Sequence, residues 1–176
     1  MLDKGDIKEF VQSLIIAGIL AFFIINFVAQ SFIVDGQSMY PTLRDGERLF
    51  VNKFIYRFRP PERFEIIVFT PNGQSDSKFI KRVIGLPGET VFIKDGITYI
   101  DGQPLKEGYL NEKMLGDFGP YLVGDDEVFV MGDNRNHSAD SRIPSYVGNV
   151  KFSSISGKAF WVYWPLNRMR LIGYEY

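Results

Sequence analysis

The chain has 176 residues, no cysteine and a single histidine, His137. Without cysteine there is no disulfide, no zinc–thiolate centre and no thiol nucleophile. One imidazole excludes the usual multi-histidine metal sites. Charge of either sign is not in excess. Twenty Lys and Arg stand against 21 Asp and Glu, for a formal net charge of −1 and a pI near 5.9. The chain therefore lacks the basic surface that nucleic acid demands. Internal repeats, low-complexity tracts and a second-domain linker are also missing, so one folded unit is expected. Between Phe10 and Val34 there is no charged residue at all.

That uncharged stretch gives the first positive signal. Residues 1–9 form a short tail of mixed charge, and Leu14 to Ala29 is interrupted only by Gly18 and Asn26. Roughly 20 apolar residues at about 1.5 Å rise each cross a hydrocarbon core, so residues 10–31 are expected to form a transmembrane anchor. A removable leader has a shorter apolar stretch, about 7–15 residues, although Ala29-Gln30-Ser31 does fit a small-x-small cleavage pattern. Lys4 and Lys8 precede the stretch and Arg44 and Arg48 follow it, so charge bias does not decide orientation.

From residue 32 onward the pattern changes. Fifteen of the seventeen glycines and all nine prolines punctuate short runs rich in Val, Ile, Phe and Tyr, which read as strands joined by tight turns. Strands are expected at Arg48–Tyr56, Phe64–Thr70, Phe79–Ile84, Thr90–Lys94, Ile97–Ile100, Glu127–Met131 and Lys158–Trp164, with a polar loop at Pro71–Ser77. Asp95-Gly96 between two such runs calls for a type I′ hairpin. Lys106 to Asp126 shows no clear period and reads as an extended excursion. The expected fold is mainly β, an antiparallel sheet or barrel-like unit over residues 32–176.

Chemistry centres on Phe32 to Leu43. Asp35-Gly36-Gln37 presents Ser38, and Pro41 closes the segment. Such a serine can place its Oγ and its own N–H in one cleft, a nucleophile beside an oxyanion donor; a plain turn is the bland alternative. Two partners for it stand open. Lys81, flanked by apolar residues, would lose basicity on burial and could accept the serine proton. Side chains alternate along a strand, so Arg82 is expected to face the opposite way, toward solvent if Lys81 is buried. His137 with Asp133 or Asp140 offers a Ser-His-Asp set instead.

Three segments then carry a resemblance. Ser38-Met39-Tyr40-Pro41-Thr42-Leu43, Lys81 to Glu89, and Gly132-Asp133-Asn134-Arg135-Asn136-His137-Ser138-Ala139-Asp140-Ser141-Arg142 are similar, in that order, to the motifs of bacterial type I signal peptidases, in their compact Gram-positive form. Gly157 to Phe160 and Trp164 to Arg168 fit as well, so the resemblance runs from Phe10 to Arg168. It implies a membrane-bound serine endopeptidase that removes signal peptides after Ala-x-Ala sites through an acyl-enzyme. Ser38 is then the nucleophile and Lys81 the general base, which displaces His137. Ser138 would orient the lysine amine, while Asp133, Asp140 and Arg142 support the site. Gly36 stands where many Gram-negative relatives carry an oxyanion-hole serine, so the Ser38 N–H becomes the chief donor. Phe32, Val34, Met39, Phe79 and Ile80 match positions lining the substrate subsites. The expected setting is the plasma membrane, single-pass, with the catalytic domain extracytoplasmic. Secretory preproteins and the lipid bilayer are the expected partners, near the secretion translocon. No cofactor or metal is implied. A self-cleaving repressor-type Ser/Lys peptidase shares fold and dyad but lacks an N-terminal span; a non-catalytic membrane-anchored β domain is the remaining rival.

Overall fold

The computed structural model describes residues 4–23, 29–71 and 77–173. Helix α1, Lys4–Phe23, leads into twelve strands: β1 Ala29–Ile33, β2 Arg48–Asn52, β3 Ile66–Phe69, β4 Phe79–Gly85, β5 Thr90–Lys94, β6 Ile97–Ile100, β7 Gln103–Pro104, β8 Phe118–Leu122, β9 Glu127–Met131, β10 Val150–Lys151, β11 Ile155–Trp164 and β12 Arg170–Leu171. Among the described residues every strand pair is antiparallel. The larger sheet runs β1-β2-β11-β3-β4-β9-β10 with β12 on β11, and the smaller runs β7-β6-β5-β8. The fold is mainly β. Neither pairing path closes on itself among the described residues, so these are sheets rather than a closed barrel.

The strand period explains the packing. Along β3, Ile66 and Val68 join Met39, Leu43, Leu49, Val51, Ala159 and Val162 in one apolar cluster. Ile67 and Phe69 face the other way, into Val83, Val128, Val130, Val147 and Val150. Burial on both faces is why β3 reads as an unbroken apolar run rather than an alternating one. A third cluster, including Ile84, Val91, Ile93, Tyr109 and Phe129, fills the space between the small sheet and the ends of β4 and β9. The hairpin of β5 and β6 turns at Asp95-Gly96 with positive φ at both residues, as a type I′ link requires.

Three expectations need correction. The expected strand Arg48–Tyr56 stops at Asn52, whose side chain accepts from the Phe54 and Ile55 N–H groups and turns the chain into a 3₁₀ turn at Ile55–Arg57. The excursion from Lys106 to Asp126 contains β8, paired to β5. The anchor expected over residues 10–31 is not one helix to its end. Ala29 to Ile33 pairs as β1 with β2, so its backbone groups are satisfied by a strand partner. The small-x-small sequence at Ala29-Gln30-Ser31 lies in that paired strand. Among the described residues no helix is long and apolar enough to cross a membrane, because α1 takes Asp6, Lys8 and Glu9 into its first turns. Residues 24–28 and most of the polar loop at Pro71–Ser77 lie outside the described residues.

Candidate active site

Ser38 lies on the loop joining β1 to β2. The ends of that loop are tied together: the Val34 N–H donates to Glu47 O at 2.8 Å and the Gly46 N–H to Val34 O at 2.9 Å. Met39 and Leu43 root its inner side in the core. Gly36 has φ +83°, a conformation that favours glycine, and its N–H donates to Asp45 Oδ1 at 2.8 Å. That donor is therefore spoken for. The Ser38 N–H has no acceptor among the described residues and remains open.

Lys81 reaches the serine from β4, held between β3 and β9. Its Nζ donates to Ser38 Oγ at 2.9 Å and to Ile80 O at 2.9 Å. The Phe79 ring lies 5.2 Å from the amine. The residue is only 4% exposed, and no carboxylate lies within ion-pair distance of it among the described residues. Burial pushes the amine down from an ordinary 10.5 to about 8, against an opposing pull from the charges of Asp140 and Asp133. A neutral amine at hydrogen-bond distance from a hydroxyl can take its proton. His137 is placed otherwise: it is exposed, and its Nδ1 meets Asn134 Oδ1 at 3.2 Å.

The other expected residues separate into two groups. Asp133 accepts from Arg82 through both oxygens, Nε to Oδ1 at 2.8 Å and Nη2 to Oδ2 at 2.6 Å, with both side chains fully buried. Asp140 accepts the Gly132 N–H at 3.0 Å and the Arg142 guanidinium at 2.8 and 2.9 Å. Arg142 also donates to Arg135 O at 2.6 Å. These contacts shape the turn after β9, whose Asn134 N–H donates to Ser38 O at 3.0 Å. Ser138 is expected to orient the lysine amine; among the described residues its Oγ is buried without a hydrogen-bond partner, and the amine donates to Ser38 and Ile80. It does stand close to Ser38, because a Cβ on Gly132 would strike both Ser138 Oγ and Ser38 O.

A cleft of ≈ 380 Å³ opens over the pair, lined by Ile33, Val34, Ser38, Met39, Phe79, Ile80, Lys81 and Ala139 among others. Four of the five expected subsite residues border it. Phe32 does not; it packs against the core cluster behind. Among the described residues no group of three or more His, Asp or Glu is gathered to hold a metal ion.

Sequence reasoning missed the residues behind the site. Arg82 is not solvated: it is fully buried, donates to Phe64 O at 3.0 Å and Thr42 Oγ1 at 3.3 Å, and lies 4.0 Å over the Tyr109 ring. Arg135 is equally enclosed, paired with both oxygens of Glu107 and donating to Tyr109 Oη at 3.1 Å. The available signal was the arginine count of the 132–142 segment, since buried guanidinium groups need counter-charges. Nothing local points to Glu107, 28 residues upstream of Arg135.

Residues 7–164 match the family model described as "Signal peptidase, peptidase S26". Among curated proteins, signal peptidase I S of Bacillus subtilis is 41% identical over 95% of this chain and 94% of that protein. Signal peptidase I of Bacillus licheniformis is 39% identical over the same shares, and probable signal peptidase I-2 of Synechocystis 41% identical over 93% of this chain and 76% of that protein. A crystal structure of a signal peptidase I from Enterococcus faecalis is 40% identical, covering 57% of this chain and 97% of that chain at a TM-score of 0.48.

Proposed function

The chain belongs to the signal peptidase family, peptidase S26, and is a serine peptidase that removes signal peptides from secretory preproteins; from that premise we propose that Ser38 and Lys81 are its catalytic pair. The observation that carries this is the 2.9 Å bond from a buried lysine amine to the Ser38 hydroxyl. Neutral Lys81 takes the Oγ proton as Oγ bonds to the scissile carbonyl carbon, and the Ser38 N–H meets the developing oxyanion. The C–N bond then breaks and the lysine returns the proton to the leaving amine. Water, deprotonated by the same lysine, attacks the ester; the C–Oγ bond breaks and the lysine passes that proton to Oγ, which restores the Ser38 hydroxyl and the neutral amine.

The cleft supports the expected specificity. Val34, Met39, Phe79 and Ile80 border it, and apolar walls suit an extended segment with small residues three before and one before the cut. The N-terminus supports a membrane setting. The apolar residues of α1, Phe10, Leu14, Ile15, Ile16, Ile19 and Leu20, are all exposed and point around the whole helix. A helix apolar on every side asks for lipid rather than a single packing face. The uncharged stretch would anchor the enzyme in the plasma membrane, with the catalytic unit extracytoplasmic and near the translocon, where bilayer and signal peptide meet at high effective concentration. Cleavage of a preprotein with an Ala-x-Ala site in detergent tests the reading. Wild type is expected to cut after the second alanine, and Lys81→Met to lose about 10²–10⁴-fold in rate. A variant that cuts nearly as fast removes Lys81 from the chemistry, and an inert wild type removes the proposed specificity.

A further inference from the structure

The nucleophile loop is gripped at its far end by a residue outside the family match, which stops at residue 164. Arg170 lies on β12, held to β11 by the Val162–Arg170 pairing. Its guanidinium spans the two oxygens of Glu47, Nη1 to Oε1 at 2.9 Å and Nη2 to Oε2 at 2.7 Å. Nη2 also donates to Thr42 O at 2.5 Å, and Nη1 to Arg168 O at 3.0 Å. Glu47 is only 1% exposed and also accepts the Arg44 N–H at 3.1 Å. Burial alone would raise its pKa, but the bonds and charge of Arg170 outweigh that and hold it below the usual carboxylate value.

Thr42 is thereby held from two directions. Arg170 takes its carbonyl, and Arg82 donates to its hydroxyl at 3.3 Å. Arg82 adjoins Lys81 on β4, so one residue of the serine loop is bolted both to the strand that carries the amine and to the last strand of the structure. Resting on the Ser38/Lys81 reading, we infer that Arg170 is a positioning residue, which fixes Ser38 Oγ against Lys81 Nζ through Thr42 and Glu47. It touches neither substrate nor dyad. A misplacement of about 1 Å at a nucleophile can cost on the order of 10²-fold in rate, and an arginine fork restrains a loop in two directions where an ammonium restrains it in one.

The test is full-length protein in detergent, cutting an Ala-x-Ala preprotein, with kcat and KM resolved across pH for wild type, Arg170→Gln and Arg170→Lys. Arg170→Gln is expected to lose roughly tenfold or more in kcat with KM changed less than about twofold. Its kcat/KM midpoint should climb from about 8 toward the ordinary lysine range, because a loosened loop admits water to Lys81. Arg170→Lys, which keeps a cation beside Glu47, should recover part of both. Wild-type kcat and midpoint in Arg170→Gln overturn the inference and leave the dyad standing. So does a loss that merely tracks the folded fraction with the midpoint unmoved. If Arg170→Gln does not fold, Arg170→Lys decides: a wild-type midpoint and kcat in that variant overturn the inference, and a raised midpoint with lowered kcat supports it. An inert wild type overturns the dyad reading itself, and this inference with it.

Discussion

Lys81 and Arg82 are consecutive cations on β4, both buried, and the protein treats them in opposite ways. Arg82 meets the two oxygens of Asp133 in fork geometry, a backbone carbonyl, a hydroxyl and an aromatic face. Lys81 meets one hydroxyl, one carbonyl and, at 5.2 Å, the Phe79 ring, all neutral. The paired guanidinium stays charged and serves as framework. The amine, desolvated without a carboxylate at contact distance, is driven toward the neutral form that a base requires. Alternation along the strand separates the two side chains, and the partners each one finds decide its work.

The largest expected effect comes from breaking the framework half. Asp133→Asn removes the counter-charge of a fully buried guanidinium, a change that typically costs about 3–5 kcal/mol. The urea midpoint should fall accordingly, with the slope little changed. The same substitution takes away one of the two charges that hold the Lys81 pKa up. Any activity that survives should therefore reach its plateau at lower pH than wild type. A wild-type urea midpoint would mean that Arg82 stays adequately compensated by its carbonyl, hydroxyl and ring partners.

Next in size is the penalty stored in Lys81. A pKa of about 8 when folded, against 10.5 for an ordinary lysine, implies a burden of roughly 3 kcal/mol on the folded state below pH 8. The sign follows from proton counting. Between about pH 8 and 10.5 the unfolded chain binds more protons than the folded one, so this group alone makes stability rise with pH across that window and adds nothing above it. Lys81→Met removes the burden, so the variant should be more stable than wild type near pH 7 by up to that amount while it loses cleavage. Wild-type activity should climb tenfold per pH unit below about pH 8 and then level off. Equal stability of variant and wild type would mean that Lys81 carries no such penalty, and a flat profile from pH 6 to 9 would mean that its deprotonation does not control cleavage.

The comparison also explains what could be read in advance. Local signals did well wherever the determinant is local. Asp95-Gly96 specifies its hairpin by the φ values it tolerates, and the β5, β6 and β9 boundaries fall where β-branched runs meet turn residues. The contact between Ser38 and Lys81 joins segments far apart in the chain, 43 residues from each other, and only the two motifs taken together pointed to it. The partners of Arg82, Arg135 and Arg170 were not legible at all. An ion pair over 28, 51 or 123 residues leaves no periodic trace in either segment. Composition likewise could not tell that the end of the uncharged N-terminal stretch, Ala29 to Ile33, would be claimed by β2.

The smallest expected effect sharpens the comparison most, because it removes the third candidate cation. His137 sits in the turn between two groups that matter: Asn134, which donates to Ser38 O and to Gln37 O, and Ser138, beside Gly132. An imidazole serving as base would have to reach Ser38 and be oriented by a carboxylate. Instead it is exposed, and its one ring contact is an amide oxygen at 3.2 Å. Asn134 keeps both of its bonds to the nucleophile loop when that ring is gone, and an exposed neutral contact of this kind is worth at most about 1 kcal/mol. His137→Ala should therefore retain kcat within about fivefold and leave the pH midpoint near 8. A hundredfold loss in kcat accompanied by a moved midpoint would transfer the proton-accepting role from strand β4 to the turn, and Lys81 would then be a buried cation waiting for an explanation.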